Sequence, residues 1–237
     1  MIVLLIILAI IIIFMAIYII FADDIKAVQG RDPAAKSALE VLLLYPGLHA
    51  LVFYRINHKL WEWKIPIIPR WLSQVARSLT GVEIHPGAQI GKRFFIDHGM
   101  GVVVGETAIV GDNVLLYQGS TLGGTGKETG KRHPTLGNNV VVGSGAKILG
   151  NITIGDNSYI GANAVVIRNV PPNSTVVGIP GRITRQDGRK LDMELDHQHV
   201  SDPVMDNMSR LLRRIKTLES KTGCVAPKDE NDIDFMI

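Results

Sequence analysis

Small apolar residues recur at every sixth position through the middle of the chain, in two runs. Ile84, Ile90, Ile96, Val102, Ala108, Val114 and Ser120 form the first, with Ser120 its only polar member; Leu136, Val142, Ile148, Ile154, Ile160 and Val166 form the second. A period of six matches neither the 3.6-residue turn of a helix nor the alternation of an ordinary strand. It predicts a left-handed parallel β-helix, in which each hexapeptide supplies a short flat face and a turn. Three faces close one coil, and the apolar residue points inward onto its equivalents above and below. Ser120 and Leu136 stand sixteen residues apart, which is not a multiple of six, so an insertion is expected between them. Gly123 to Pro134 holds four glycines, four charged residues and a proline, and reads as a protruding loop.

The flanks have different patterns. Met1 to Ala22 is hydrophobic throughout, and as a helix would be roughly 33 Å long, enough to cross a bilayer core. The expectation is a single-pass membrane anchor. Lys26, Arg31 and Lys36 on the following flank put the remainder at the cytoplasmic face. Asp32-Pro33 reads as a helix start, with helices predicted over Ala34–Tyr45, Leu48–Trp63 and Trp71–Leu79. Beyond Pro180-Gly181, Val204, Met208, Leu211, Ile215 and Leu218 are spaced four, three, four and three apart, as a coiled-coil seam or a lone amphipathic helix would be. The expected division is an anchor over 1–22, a short helical region over 23–80, the β-helix domain over 81–186, and a C-terminal helix with an acidic tail over 187–237.

Charge and composition narrow the chemistry. Lys and Arg number 25 against 22 Asp and Glu, a net charge of +3. The basic residues are not interleaved with aromatics, so no nucleic-acid partner is expected. A single cysteine, Cys224, excludes an internal disulfide and offers no metal cluster. Three of seven histidines lie in the coils: His85, His98 and His133. They are too far apart in sequence to form the close pair that a shared zinc site needs, and no metal is expected. Glu83 precedes His98 by fifteen residues, nearly one coil of about eighteen, so the two can meet across adjacent layers. A carboxylate there would fix the imidazole tautomer and raise its basicity, as a general base requires. A solvated surface histidine fits the same spacing.

The ordered motifs carry a resemblance. Asp24-Ile25-Lys26-Ala27-Val28, Arg31-Asp32-Pro33-Ala34, Glu83-Ile84-His85-Pro86, Ile96-Asp97-His98-Gly99 and Val104-Gly105-Glu106-Thr107 come first. Thr121-Leu122-Gly123-Gly124-Thr125-Gly126-Lys127, Arg132-His133-Pro134, Gly145-Ala146-Lys147-Ile148-Leu149-Gly150 and Val177-Gly178-Ile179-Pro180-Gly181 follow. Over residues 23–186 this series resembles the serine O-acetyltransferases of the hexapeptide-repeat acyltransferase superfamily. The resemblance implies transfer of acetyl from acetyl-CoA, a co-substrate, to the hydroxyl of L-serine, a step toward cysteine. It makes His98 the base, with Glu83 as its acidic partner and His133 beside it in the active site. Asp32 and Asp97 then hold the substrate ammonium and Arg132 its carboxylate, although Asp32 also reads as a helix cap and Arg132 as a loop charge. Gly123, Gly124, Gly145 and Lys147 are the expected acetyl-CoA contacts, the glycines because a backbone without side chains admits the pantetheine arm.

The resemblance also implies a homotrimer, or a dimer of trimers. Many such enzymes end in an isoleucine that enters the next enzyme, cysteine synthase. The chain ends Asp234-Phe235-Met236-Ile237, so Ile237 is expected to anchor that partner. Two other readings are a hexapeptide acetyltransferase for a sugar or another small hydroxyl compound, and a non-catalytic trimeric scaffold. A sugar offers no ammonium or carboxylate to Asp32, Asp97 and Arg132, and a scaffold needs neither His98 nor His133.

Overall fold

The computed structural model describes residues 2–126, 128–187, 208, 210–215, 217 and 218. Five helices come first: α1 (Ile2–Ile20), α2 (Ala22–Gln29), α3 (Ala38–Leu44), α4 (Pro46–Glu62) and α5 (Ile68–Thr80). Short strands follow: β1 (Glu83–Ile84), β2 (Gln89–Ile90), β3 (Phe95–Asp97), β4 (Val103–Val104), β5 (Ile109–Val110), β6 (Leu115–Tyr117), β7 (Thr121–Gly123) and β8 (Thr135–Leu136). The series continues with β9 (Val141–Val142), β10 (Lys147–Leu149), β11 (Thr153–Ile154), β12 (Tyr159–Ile160), β13 (Val165–Val166), β14 (Ser174–Val177) and β15 (Arg182–Gln186). They form a first sheet β1-β4-β7-β10-β13, a second β2-β5-β8-β11 and a third β3-β6-β9-β12-β14-β15. Pairing is parallel except for the terminal β14–β15 hairpin, so the chain climbs as a three-faced parallel β-helix.

Every residue of the two six-residue runs is buried, with Ile148, Ile154 and Ile160 at 0% exposure. The phase differs from the sequence expectation. Ile84 pairs with Val104, twenty residues on, whereas Val104 pairs with Leu122, eighteen on. The first coil therefore carries two extra residues, in the turn after β3 that holds His98. The six-residue rhythm hid this because the coil has a second inward position four residues after the first. Val102, Ala108, Val114 and Ser120 occupy that second position, and the strand-borne column continues through Val104, Val110, Leu116 and Leu122, all buried. The second insertion shows as Val110 pairing with Leu136, twenty-six residues on, so eight extra residues project between β7 and β8.

One edge of the β-helix is closed by an asparagine ladder. Asn113, Asn139, Asn157 and Asn173 all adopt left-handed backbone, and the amides of the first three donate to the next asparagine's side-chain oxygen at 2.7, 2.9 and 3.0 Å. Arg31 caps the ladder, donating to the backbone oxygen of Asn113 at 2.9 Å and to its side-chain oxygen. Helix α4 clamps the first coil: Tyr54 donates to the Ala88 carbonyl at 2.7 Å and Arg55 to those of Ile90 and Gly91.

The N-terminal expectations change in several places: helix α2 precedes Asp32, and α4 and α5 begin at Pro46 and Ile68 rather than at Leu48 and Trp71. Helix α3 begins at Ala38, not Ala34, because Ser37 caps it by accepting from the Glu40 N–H at 3.1 Å while Glu40 accepts from the Lys36 N–H. The Ser37–Glu40 spacing is the capping signal that Asp32-Pro33 obscured. Asp32 instead accepts from the Ala34 N–H in a turn. The single membrane-spanning helix expected over Met1–Ala22 is also corrected. Among the described residues no single helix is long and apolar enough to cross a membrane; α1 stops at Ile20 and the chain bends by 71° into α2. The bend has a packing cause, because Phe21, Ile25 and Val28 are buried in the core while Leu5–Leu8, Ile11–Ile13 and Met15 of α1 stay exposed.

The described C-terminal residues form a separate unit, in which Met208, residues 210–215, Thr217 and Leu218 are helical. Met208, Leu211, Ile215 and Leu218 are exposed there; Val204 and the tail through Ile237 lie outside the described residues.

The ladder gives a stability prediction. Asn139→Gly keeps the left-handed backbone but removes two side-chain hydrogen bonds, and should cost about 1–3 kcal/mol. Asn139→Ala should cost about 1–2 kcal/mol more, the penalty of a left-handed non-glycine residue. Urea unfolding midpoints of the two variants check the order.

Candidate active site

Both insertions into the eighteen-residue coil bear histidines singled out by sequence, whereas the last coil is shortened to sixteen, Ile160 pairing with Val176. His98 sits in the turn between β3 and β4, exposed and in left-handed backbone (φ 57°), so its ring projects outward. The turn is braced from inside: the Gly99 N–H donates to the Asp97 carbonyl, Met100 N–H to the His98 carbonyl at 2.9 Å, and Gly101 N–H to the Gly81 carbonyl at 2.9 Å. Glu83 lies on β1, next to β4, which this turn feeds. The charge partner of its carboxylate is Arg77 of α5, at 3.1 Å.

Asp97 is the last residue of β3 and is buried; its electrostatic neighbours are the phenols of Tyr45 and Tyr117. Asp32 accepts from the Tyr45 hydroxyl at 2.6 Å. Burial and then the Asp32 hydrogen bond push the Tyr45 phenol up, and burial followed by Asp97 does so at Tyr117. The structure thus brings Asp32 and Asp97 together around two neutral tyrosines. Tyr45 stands thirteen residues from Asp32, and no sequence spacing announces the contact. Arg31 also lies here, its guanidinium lowered to about 10, first by burial and then by the nearby charge of Arg93.

The Arg132–His133 end of the eight-residue insertion folds against the corner between the first and second sheets. A Cβ on Gly105 would occupy the place of the His133 ring, so only glycine admits this approach. Thr107 orients the ring: its N–H donates to Nδ1 at 3.2 Å and its hydroxyl lies 2.9 Å from the same atom. Arg132 pairs with Glu106, whose carboxyl is held below the usual range by that guanidinium. Burial, then the charge of Arg132, lowers the His133 pKa. His85 shares this corner, its Nδ1 accepting from the Gly87 N–H at 3.0 Å and its ring set edge-on to Trp61. Burial, then the charge of Arg70, lowers it to about 4. Glu106 and Thr107 were visible within a motif but had no role until the fold set them against Arg132 and His133.

Within one chain the predicted residues form two groups. His98 and Glu83 flank the corner entering the first sheet, beside Asp97, which shares its tyrosine neighbours with Asp32, while Arg132 and His133 sit at the corner leaving it. Gly101, Gly119 and Gly145 stack at the entering corner in left-handed backbone; a Cβ on Gly101 would lie 3.6 Å from the Gly119 Cα, and one on Gly119 lies 3.5 Å from the Gly145 Cα. They leave a strip of bare backbone beside the His98 turn. Lys147 braces it, donating to the carbonyls of Gly119 and Gly145 at 2.5 and 2.8 Å, and is not a free cation. Gly123 ends β7, and Gly124 lies against the Arg132 backbone. Among the described residues no group of three His, Cys, Asp or Glu side chains is placed to hold a metal.

Residues 133–168 match the family described as bacterial transferase hexapeptide (six repeats), and residues 10–52 match the serine acetyltransferase N-terminal family. The second match begins inside the apolar run, so α1 from residue 10 onward is shared with that family. A serine acetyltransferase of Synechococcus elongatus is 58% identical over 217 residues, covering 91% of this chain and 88% of the relative. The structure of a Neisseria gonorrhoeae serine acetyltransferase in complex with serine superposes with a TM-score of 0.69 at 42% identity, over 72% of this chain and 70% of that one. A Brucella abortus serine acetyltransferase in complex with coenzyme A gives a TM-score of 0.69 at 44% identity, over 71% and 67%.

The depressed histidines set a pH dependence. Below pH 6.5 the unfolded chain takes up protons that folded His85, with a pKa of about 4, refuses. Stability is therefore full above about pH 6.5 and falls as the pH drops toward 4. His85→Asn, which keeps an acceptor for Gly87, should flatten that decline in urea midpoints measured from pH 4.5 to 7.5. An unchanged slope would refute the assignment.

Proposed function

The chain belongs to the serine acetyltransferase family and transfers acetyl from acetyl-CoA to the hydroxyl of L-serine; from that premise we propose how its residues share the reaction. His98 is the general base. As the serine oxygen attacks the thioester carbonyl carbon, His98 takes the hydroxyl proton, with Glu83 stabilising the imidazolium. The carbonyl oxygen becomes an oxyanion that backbone N–H groups meet. Collapse of the tetrahedral intermediate breaks the C–S bond, and the departing CoA sulfur takes the proton from His98. O-acetylserine and CoA leave, and His98 is again neutral.

Serine is held by charge at both ends. Asp32 and Asp97 take its ammonium, beside the phenols of Tyr45 and Tyr117. Arg132 takes its carboxylate, with His133 beside it and Glu106 limiting the guanidinium's freedom. The observation that carries this reading is the separation of the two corners across the first sheet. A serine whose hydroxyl meets His98 and whose carboxylate meets Arg132 of the same chain would have to cross that sheet. In a homotrimer the entering corner of one protomer faces the leaving corner of the next, so each site takes its base from one chain and Arg132–His133 from another. The glycine strip at Gly101, Gly119 and Gly145, braced by Lys147, accommodates the pantetheine arm of acetyl-CoA, with Gly123 and Gly124 at the base of the insertion on its other side.

The decisive variant is His98→Ala. It removes only an exposed ring and should fold and assemble as the parent does. Its kcat should fall on the order of 10²-fold or more, and near-parental turnover in a folded protein would overturn the assignment.

The acidic tail ending in Ile237 suits docking to a cysteine synthase. Its terminal carboxylate fits a nest of backbone N–H groups and its side chain an apolar pocket, with Phe235 and Met236 as flanking contacts. A ten-residue tail peptide should bind a cognate cysteine synthase at least about tenfold more tightly than the peptide lacking Ile237. Equal affinities in a titration would remove the partner.

A further inference from the structure

The ion pair between Arg77 and Glu83 is not needed to hold α5 in place. Arg77 Nη1 lies 3.1 Å from Glu83 Oε2, with the arginine side chain 58% exposed. A pair so open to solvent contributes little to stability. Its position is more informative. Arg77 is in the last turn of α5, and its backbone carbonyl accepts from the Gly81 N–H at 2.8 Å. Gly81 is in left-handed backbone, and a Cβ there would lie 2.5 Å from the Met100 sulfur. Its own carbonyl accepts from the Gly101 N–H, two residues before β4. A Cβ on Gly99 would lie 3.0 Å from Cγ2 of Val82, the residue before Glu83. The end of α5, the start of β1 and both sides of the His98 turn are therefore tied into one local knot.

We propose that Arg77 is a positioning residue for acetyl transfer: by binding Oε2 of Glu83 it leaves Oε1 to the imidazole of His98. A glutamate has three side-chain torsions and would otherwise sample orientations in which neither oxygen meets the ring. The guanidinium, always charged, fixes one carboxylate oxygen by direction as well as by attraction. It also sets a balance, since its positive charge offsets part of the pull that Glu83 exerts on the His98 proton.

The proposal rests on the roles given above to His98 and Glu83, and the experiment separates failure of one from failure of the other. Steady-state rates from pH 5.5 to 9 would be measured for the parent, Arg77→Gln, Arg77→Lys, Glu83→Gln and the Arg77→Gln/Glu83→Gln double variant. Arg77→Gln should lower kcat by about fivefold or more, the scale of coupled residues, with the KM for acetyl-CoA unchanged. Because one positive charge beside the Glu83–His98 pair is then removed, the acidic limb of the kcat/KM profile should move to higher pH. Arg77→Lys should restore the limb better than the plateau, since an ammonium supplies charge without the guanidinium's direction. In the Glu83→Gln background, Arg77→Gln should cost nothing further. A parental rate and acidic limb in Arg77→Gln, beside an impaired Glu83→Gln, would overturn the proposal alone, as would fully additive losses in the double variant. A parental Glu83→Gln would overturn the role of Glu83 and the proposal with it.

Discussion

Register between successive coils is the constraint on which the rest of the structure depends. Each strand is only two to five residues long and gains stability by pairing with its equivalent one coil away. The inward residues must then coincide: Val104 over Ile84, Leu122 over Val104, Ile148 over Leu122. A side chain displaced by one position would leave this column for solvent, losing about 1.5–3 kcal/mol of burial for an isoleucine or valine. Extra residues cannot be absorbed along a face and are expelled at a corner. Two are expelled before β4 and eight before β8, and these corners carry His98 and Arg132–His133. The same rule that makes the scaffold rigid thus provides positions where polar groups can be displayed at fixed spacing.

The scaffold satisfies its own polar groups economically. The left-handed corners before β6, β9, β12 and β14 are filled by asparagines that bond to one another along the axis. Arg31 ends the ladder and, as the neighbour of Asp32, joins the helical region to the coils beside the proposed ammonium site. Among the described residues three buried side-chain atoms are left unpartnered: Nη1 of Arg31, Oδ1 of Asn57 and the hydroxyl of Ser120, which is fully buried at a small inward position.

Charge is arranged unequally at the two corners. Around Asp32 and Asp97 the phenols stay protonated, so two carboxylates face a neutral, hydrogen-bonding surround, as an ammonium group requires. At the other corner burial lowers the pKa of His85 and His133; Lys131 is spent on the carbonyls of Thr107, His133 and Pro134, and Arg132, partly balanced by Glu106, is the cation proposed above to take a carboxylate. An amino acid carries these two charges at a fixed separation, and the opposed polarity of the corners matches it better than it matches an uncharged sugar.

The coil and the family to which the chain belongs were legible along the linear chain. A six-residue apolar period has one stable solution, and the motifs around His98, Arg132 and His133 survive in linear form because each lies within a single turn. The register was less legible. Two inward positions per hexapeptide let the apolar rhythm pass from one column to the other after Ile96, so the two-residue insertion that lifts out His98 left no gap in the pattern. The start of α3 was misplaced because Asp32-Pro33 has a helix-start composition while the Ser37–Glu40 box holds the hydrogen bonds. Hydropathy predicted a straight spanning helix over the first 22 residues, but the bend at Phe21 depends on a core that exists only once the coils are assembled. The contacts of Tyr45 with Asp32, Thr107 with His133 and Arg77 with Glu83 join residues 6 to 26 positions apart. Only the tertiary structure decides them, because they depend on how far each corner projects and which neighbouring corner it meets.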